Sequence, residues 1–173
     1  MRTLLLSFGA LVAVGCGPTT PSVTMADFFP ADNEVGSYVK DSTGLQTAKG
    51  ATAIEGLVDG AGSPFTAKGA QALGWMKYTS GTYKLDARVW QMKDAANATD
   101  TYTALLTDAP LYAANTWTDL AVGQAGRIAD TGSSYWVSAR KNAFLIEVVL
   151  QPKDTTSRAD VETFAKAMVA KLP

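Results

Sequence analysis

The order strand, turn, capped helix occurs twice in this chain, and the two copies align without a gap when residues 75–105 are set against 135–165. Leu85 then matches Leu145, Val89 matches Val149, Gln91 matches Gln151, and the pair Lys93-Asp94 matches Lys153-Asp154. Asp100 with Asp160 and Thr103 with Thr163 carry the match into the helices. Two repeats are too few for a solenoid, in which each unit buries its apolar face on a neighbour, so both must share one core. The repeat therefore predicts an α+β fold, an antiparallel sheet built from two ββα repeat units with helices packed on it.

Within each copy the periodicity distinguishes strand from helix. Residues 73–78 and 82–92 are strand-like runs joined by Ser80-Gly81, a hairpin turn. Tyr83, Leu85, Ala87 and Val89 alternate with Thr82, Lys84, Asp86 and Arg88, giving one apolar and one charged face. In residues 143–151 both faces carry apolar side chains, which predicts a strand in the middle of the sheet. Residues 127–129 and 135–139 are further strands. Asp94 or Asn97 caps a helix over 98–107, closed by Asp108-Ala109-Pro110. The last helix has Ser157 and Asp160 as a capping pair and an apolar stripe of Val161, Phe164, Met168 and Leu172. Before the repeats, Val35 to Val39 is a short strand, and residues 51–59 hold Ile54, Leu57 and Val58 at helical spacing, stopped by Gly60.

The N-terminus is of another kind. Arg2 is followed by an uncharged apolar run through Leu4, Leu5, Leu6, Phe8, Leu11, Val12 and Val14, the form of a secretory signal over residues 1–15. The run is too short to span a bilayer, which takes roughly 20 apolar residues. It ends at Ala13-Val14-Gly15-Cys16, which resembles the bacterial lipobox, with Ala13 where Leu is usual. That resemblance implies cleavage before Cys16, lipidation of its thiol, and a membrane anchor made of acyl chains. Gly17 after the cysteine, in place of Asp, looks like sorting to the outer membrane, facing the periplasm. Residues 16–24, with Pro18, Thr19, Thr20, Pro21 and Ser22, form the lipidated cysteine and its tether, and residues 25–173 a single domain.

Composition narrows the chemistry. Cys16 is the only cysteine and there is no histidine, so the domain holds no disulfide and no Ser-His, Cys-His or histidine-ligated metal site. Without residues 1–15 the chain has 14 basic and 16 acidic residues, a balance that offers nucleic acid no footprint.

From about Phe28 the chain resembles an uncharacterised bacterial family of exported proteins, known only as a domain of unknown function. The features that carry this are Val35-Gly36-Ser37-Tyr38, then Leu57-Val58-Asp59-Gly60-Ala61 where the family has aromatic-Ile-Asn/Asp-Gly-Gly/Ala, then Gln91-Met92-Lys93 leading into Asp100-Thr101-Tyr102. Gly62-Ser63-Pro64-Phe65 stands where the family has Ala-Glu-Leu-Tyr. The resemblance implies a fold and an envelope location, and no reaction.

Four residues are candidates for a ligand or partner surface. Asp59 and Gly60 form a glycine-flanked loop at a helix end, a geometry that presents amides and a carboxylate to a ligand but also ends helices ordinarily. Trp90 and Trp136 fall on the strand faces that carry Arg88 and Arg140. Asp86 and Glu147 are placed to meet across the sheet as an acid pair, or to pair with Arg88 and Lys84 as surface charges. No nucleophile and base stand together, so no catalytic residue, metal or cofactor is expected. The expectation is a non-enzymatic, lipid-anchored envelope protein that binds a protein partner or envelope component; the alternative is a small-ligand or lipid carrier with an apolar cavity between sheet and helices.

Overall fold

The structure, a computed structural model, describes residues 24–173; the signal segment, Cys16 and most of the tether lie outside the described residues. Eight strands form one antiparallel sheet: β1 (Val39–Lys40), β2 (Gln46–Lys49), β3 (Ala70–Ser80), β4 (Tyr83–Met92), β5 (Trp117–Asp119), β6 (Ala125–Asp130), β7 (Tyr135–Lys141) and β8 (Phe144–Gln151). Their order is β1-β3-β4-β8-β7-β6-β5, with β2 also paired to β3. Five α-helices accompany them: α1 (Ala51–Leu57), α2 (Ser63–Thr66), α3 (Ala95–Asp108), α4 (Pro110–Ala113) and α5 (Ser157–Lys171). The fold is α+β. Among the described residues no helix is long and apolar enough to cross a membrane.

The apolar alternation in β4 and β8 decides how the layers stack. Leu85, Ala87 and Val89 share a face with Ile146, Val148 and Leu150, and all are nearly inaccessible to water. Against them lies α5, through Val161, Phe164, Ala165 and Met168, so the apolar stripe expected there does close the core. A 3-10 turn (Met25–Phe28) completes that layer: Phe28 packs edge-on against Phe144, and Met25 and Phe29 crowd the space above Gly74. On the opposite face Leu73, Trp90, Met92 and Leu145 are covered by Ile54, Phe65, Ala98, Leu105 and Tyr112, contributed by α1 to α4. Strand β8 is thus central and buried on both sides, as its two apolar faces require.

Both ββα segments are present, as β3-β4-α3 and β7-β8-α5, and the aspartate of each Lys-Asp pair does the same work. Asp94 accepts a hydrogen bond from the Asn97 amide at 2.8 Å, and Asp154 accepts one from the Ser157 amide at 2.9 Å. Asp154, three residues ahead of Ser157, therefore takes the capping role expected of Ser157 and Asp160; Asp160 instead accepts from the Tyr38 hydroxyl. The helices, however, pack on opposite faces of the sheet. Central pairing of β4 with β8 is antiparallel, and Leu85 and Leu145 at matched positions face opposite layers. The two units are of opposite hand, so the repeat is one of order and local turn chemistry, and no rotation superposes one unit on the other.

Three other boundaries differ from expectation. The first strand shrinks to Val39–Lys40, because Val35 and Tyr38 turn into the core and Gly36 is left-handed (φ 56°). Pro110 ends α3 but opens α4, where its missing N–H costs nothing at the first helical position. Strand β5 is only three residues long, pairs with β6 alone and buries none of its residues, too short for a period to register in the sequence.

Candidate functional site

Strand register assembles one polar row across the sheet, on the face carrying α1 to α4. Trp75 pairs with Arg88, Arg88 with Glu147, Glu147 with Ser138, Ser138 with Arg127, and Arg127 with Asp119. The row marks a boundary. On one side of it the sheet is roofed by α1 to α4; on the other, Lys84, Asp86, Val149 and Gln151 lie open in a groove of about 490 Å³ that also takes in Asp41, Thr43, Lys77 and Thr79. Arg88 and Glu147 line this groove and also a second cavity of about 210 Å³ beneath α2 and α4.

Glu147 is the pivot of the row and is only 4% exposed. A buried carboxylate must be compensated by donors, and this one has them. Trp90 Nε1 donates to it at 2.7 Å, the Tyr112 hydroxyl donates to its other oxygen, and Arg88 Nη1 lies 4.0 Å away. Burial, together with the Glu147 charge, pushes the Tyr112 hydroxyl pKa well above its ordinary value, so Tyr112 stays a donor. Arg127 is equally buried; its Nη2 donates to the Tyr102 carbonyl at 2.9 Å and its guanidinium lies over the Tyr102, Tyr112 and Trp117 rings. Desolvation lowers its pKa from the ordinary arginine value.

Arg88 is different. It lies over the Trp75 ring, 4.6 Å from the centroid, between Asp86 at 3.9 Å and Glu147 at 4.0 Å. Both separations exceed hydrogen-bond length, and its buried Nε has no partner among the described residues. Arg127 Nε and Trp136 Nε1 are likewise buried without partners. All three unpaired groups are N–H donors.

The smaller cavity is walled by Phe65, Trp90, Tyr112 and Trp136, with Pro64, Pro110 and Leu111 at its rim. Phe65 stacks flat on Trp90, with ring centroids 3.8 Å apart, and Tyr112 packs against Trp136 and Trp117. Leu111 projects from α4 with 67% of its surface exposed.

Three of the four sequence candidates converge here. Gly60, Trp90 and Trp136 line the small cavity. Trp90 is not at the surface, however: its face assignment with Arg88 is correct, but α2 and α4 cover that end of the face and leave it 1% exposed. Asp59 is exposed and outside the cavity, left-handed with Gly60 (φ 50° and 79°), which is the ordinary end of a short helix. Asp86 and Glu147 do lie on one face, but one step apart in register, with Arg88 between them, and so form an Arg-bridged trio. Ser138, Arg127, Tyr112 and Leu111 were absent from the sequence candidates; a polar residue set between apolar neighbours, as in Val137-Ser138-Ala139 and Gly126-Arg127-Ile128, was the signal available for the first two. Among the described residues no group of three or more carboxylate or cysteine ligands is placed to hold a metal ion.

No family model matches the chain. Nor does any curated protein. Among solved structures it is similar to the extracellular domain of PknH from Mycobacterium tuberculosis, at 10% identity over 85% of this chain and 95% of that one, with a TM-score of 0.45. A second likeness is to a putative uncharacterized protein from Mycobacterium smegmatis, at 13% identity over 77% of this chain and 78% of that one, with a TM-score of 0.35. Neither likeness is close enough to transfer a function.

Proposed function

We propose that this protein is a lipid-anchored component of the bacterial cell envelope, held at the outer membrane facing the periplasm, which binds a protein partner or envelope component without catalysing a reaction. The anchoring half of the proposal is supported by the apolar run ending at Cys16, and the envelope location also by the resemblance to an exported family. The binding half is carried by one observation: Arg88, at the meeting of groove and pocket, is fixed over Trp75 and flanked by carboxylates, yet forms no hydrogen bond among the described residues. A positioned and unspent donor at the edge of an open face suits recognition.

The carrier alternative is weaker on size. The space between sheet and helices is about 210 Å³, below the roughly 300 Å³ at which pockets enclose a whole small ligand. It also has Arg88 and Glu147 in its wall.

Two measurements test the proposal. Growth with labelled palmitate should label the protein and leave it in the membrane fraction, and Cys16→Ala should abolish both; an unlabelled, membrane-free wild type would refute the anchor. Mild detergent extraction should recover the protein in a complex of defined stoichiometry, and recovery as a lone chain under those conditions would count against binding.

A further inference from the structure

The acids and the bases of the groove are not in the same state. Asp41 accepts from the amide and hydroxyl of Thr43, Asp86 from the indole N–H of Trp75, and Glu147 from Trp90 and Tyr112. Every carboxylate lining the groove is therefore already engaged by donors from the protein itself. The three cations donate no hydrogen bond among the described residues: Arg88 lies at ion-pair distance from Asp86 and Glu147 without bonding either, Lys77 lies over the Trp75 ring beside it, and neither Lys77 nor Lys84 forms an ion pair there. What the groove still lacks is acceptors.

The pocket beside it has a complementary deficiency. Its rim of Pro64, Pro110 and the exposed Leu111 is aliphatic, its walls are aromatic rings except where Arg88 and Glu147 adjoin the groove, and its volume of about 210 Å³ suits a single bulky side chain. An aliphatic rim favours an apolar side chain over a polyol, which needs hydrogen bonds at its edges. Exposed apolar rims around a packed aromatic pocket are the form in which protein partners find an anchor.

We infer that the pocket takes one bulky apolar side chain of a protein partner, and that Lys77, Lys84 and Arg88 take acidic residues flanking that side chain in the same segment. The inference rests on the reading of this protein as a binding module and names the chemistry of its partner. Opposite charges across the groove speed encounter, and the anchor supplies most of the affinity. Because pocket and groove meet at Arg88 and Glu147, anchor and acid must be near neighbours in the partner's chain.

The test is selection of a displayed library of random short peptides against the full-length protein in detergent. Enriched sequences should hold Phe, Trp, Leu or Met within a few residues of Asp or Glu. Their affinity, read by fluorescence polarisation, should fall about tenfold or more with Leu111→Asp, with Lys77→Glu/Lys84→Glu, and on replacing the peptide's apolar residue by Ala. Leu111, Lys77 and Lys84 point into solvent or the groove, and an unchanged urea midpoint in each variant would confirm that folding is intact. Enriched sequences without this pattern, or binding that all these variants leave unaltered, would overturn the inference. So would an oligosaccharide that shifts the tryptophan emission where no peptide is enriched. A complex recovered from membranes equally well by wild type and Leu111→Asp would sink the inference alone; a lone chain would sink the binding proposal beneath it.

Discussion

Glu147 shows how a single position decides the character of the whole face. In the sequence it interrupts Phe144-Leu145-Ile146 and Val148-Val149-Leu150, the one charge in a strand that is otherwise apolar up to its last residue, Gln151. In the fold it is buried in the central strand with its oxygens held by Trp90 and Tyr112. Removing one member of such a network leaves the others unpaired. Glu147→Ala should therefore destabilise by about 3 kcal/mol in urea unfolding, far more than a surface charge would. A midpoint close to wild type would mean that the row is not a connected network. Two glycines separate backbone conformation from packing at the same scale. Both Gly81 (φ 58°) and Gly123 (φ 68°) are left-handed, but a Cβ on Gly81 meets nothing within 4 Å, whereas one on Gly123 would lie 2.5 Å from the Arg140 carbonyl oxygen. Gly81→Ala should cost about 1 kcal/mol, and Gly123→Ala clearly more, because the hairpin backbone has to shift as well. Equal costs in thermal unfolding would contradict the close approach.

Among the elements, the two Lys-Asp turns were legible as a repeat, although the cap of the last helix falls on Asp154 and not on the expected Ser157 and Asp160. Asp94 and Asp154 each lie three residues before the amide they cap, and that spacing is visible in the chain. Asp94→Ala should cost about 1 kcal/mol. Asp154 makes a pH prediction. The Tyr83 hydroxyl, followed by the backbone amides of Ser157 and Thr156, holds its carboxyl well below the ordinary 3.8. A lowered pKa in the folded state means that the stabilisation is present in full above about pH 4 and is lost as the pH falls below it, when the folded protein resists a proton that the unfolded chain accepts. The urea midpoint of wild type should drop on going from about pH 5 to about pH 3, and Asp154→Asn should show a smaller drop; parallel pH profiles would show that the turn does not contribute. Elements set by long-range pairing were illegible by comparison. Strand β2 has just one buried residue and β5 none, so neither shows an apolar period, and both exist because an edge of the sheet was there to receive them.

For the whole molecule, the sheet is a shared wall between two cores that differ in kind. The α5 side is an apolar core closed by that helix and the 3-10 turn, while the opposite side grades from an aromatic cluster through the polar row to open charge. Helix α5 thus carries most of one layer. Ending the chain before Ser157 would bare Leu85, Ala87, Ile146 and Val148 together, an apolar area no single domain of this size can leave wet. Such a truncated chain should lose its cooperative urea transition in circular dichroism; retention of a sigmoidal transition would show that the sheet stands without α5.

The sequence alone determined the features whose physics is local or periodic: the apolar run before Cys16, the hairpin at Ser80-Gly81, the two-faced central strand, the stripe of the last helix and the α+β class. These depend on neighbours two to four residues apart, and a chain displays such neighbours directly. Only the tertiary structure decided that the repeated units carry their helices on opposite faces, because a side chain's direction within a strand does not say which layer will cover it. It alone also decided the polar row, since Trp75, Arg88, Glu147, Ser138, Arg127 and Asp119 come from six strands and become neighbours only through register. Trp90 illustrates the division. Its face could be read from alternation, but its burial depended on Phe65 and Tyr112 being delivered from elements that lie well away from it in the chain.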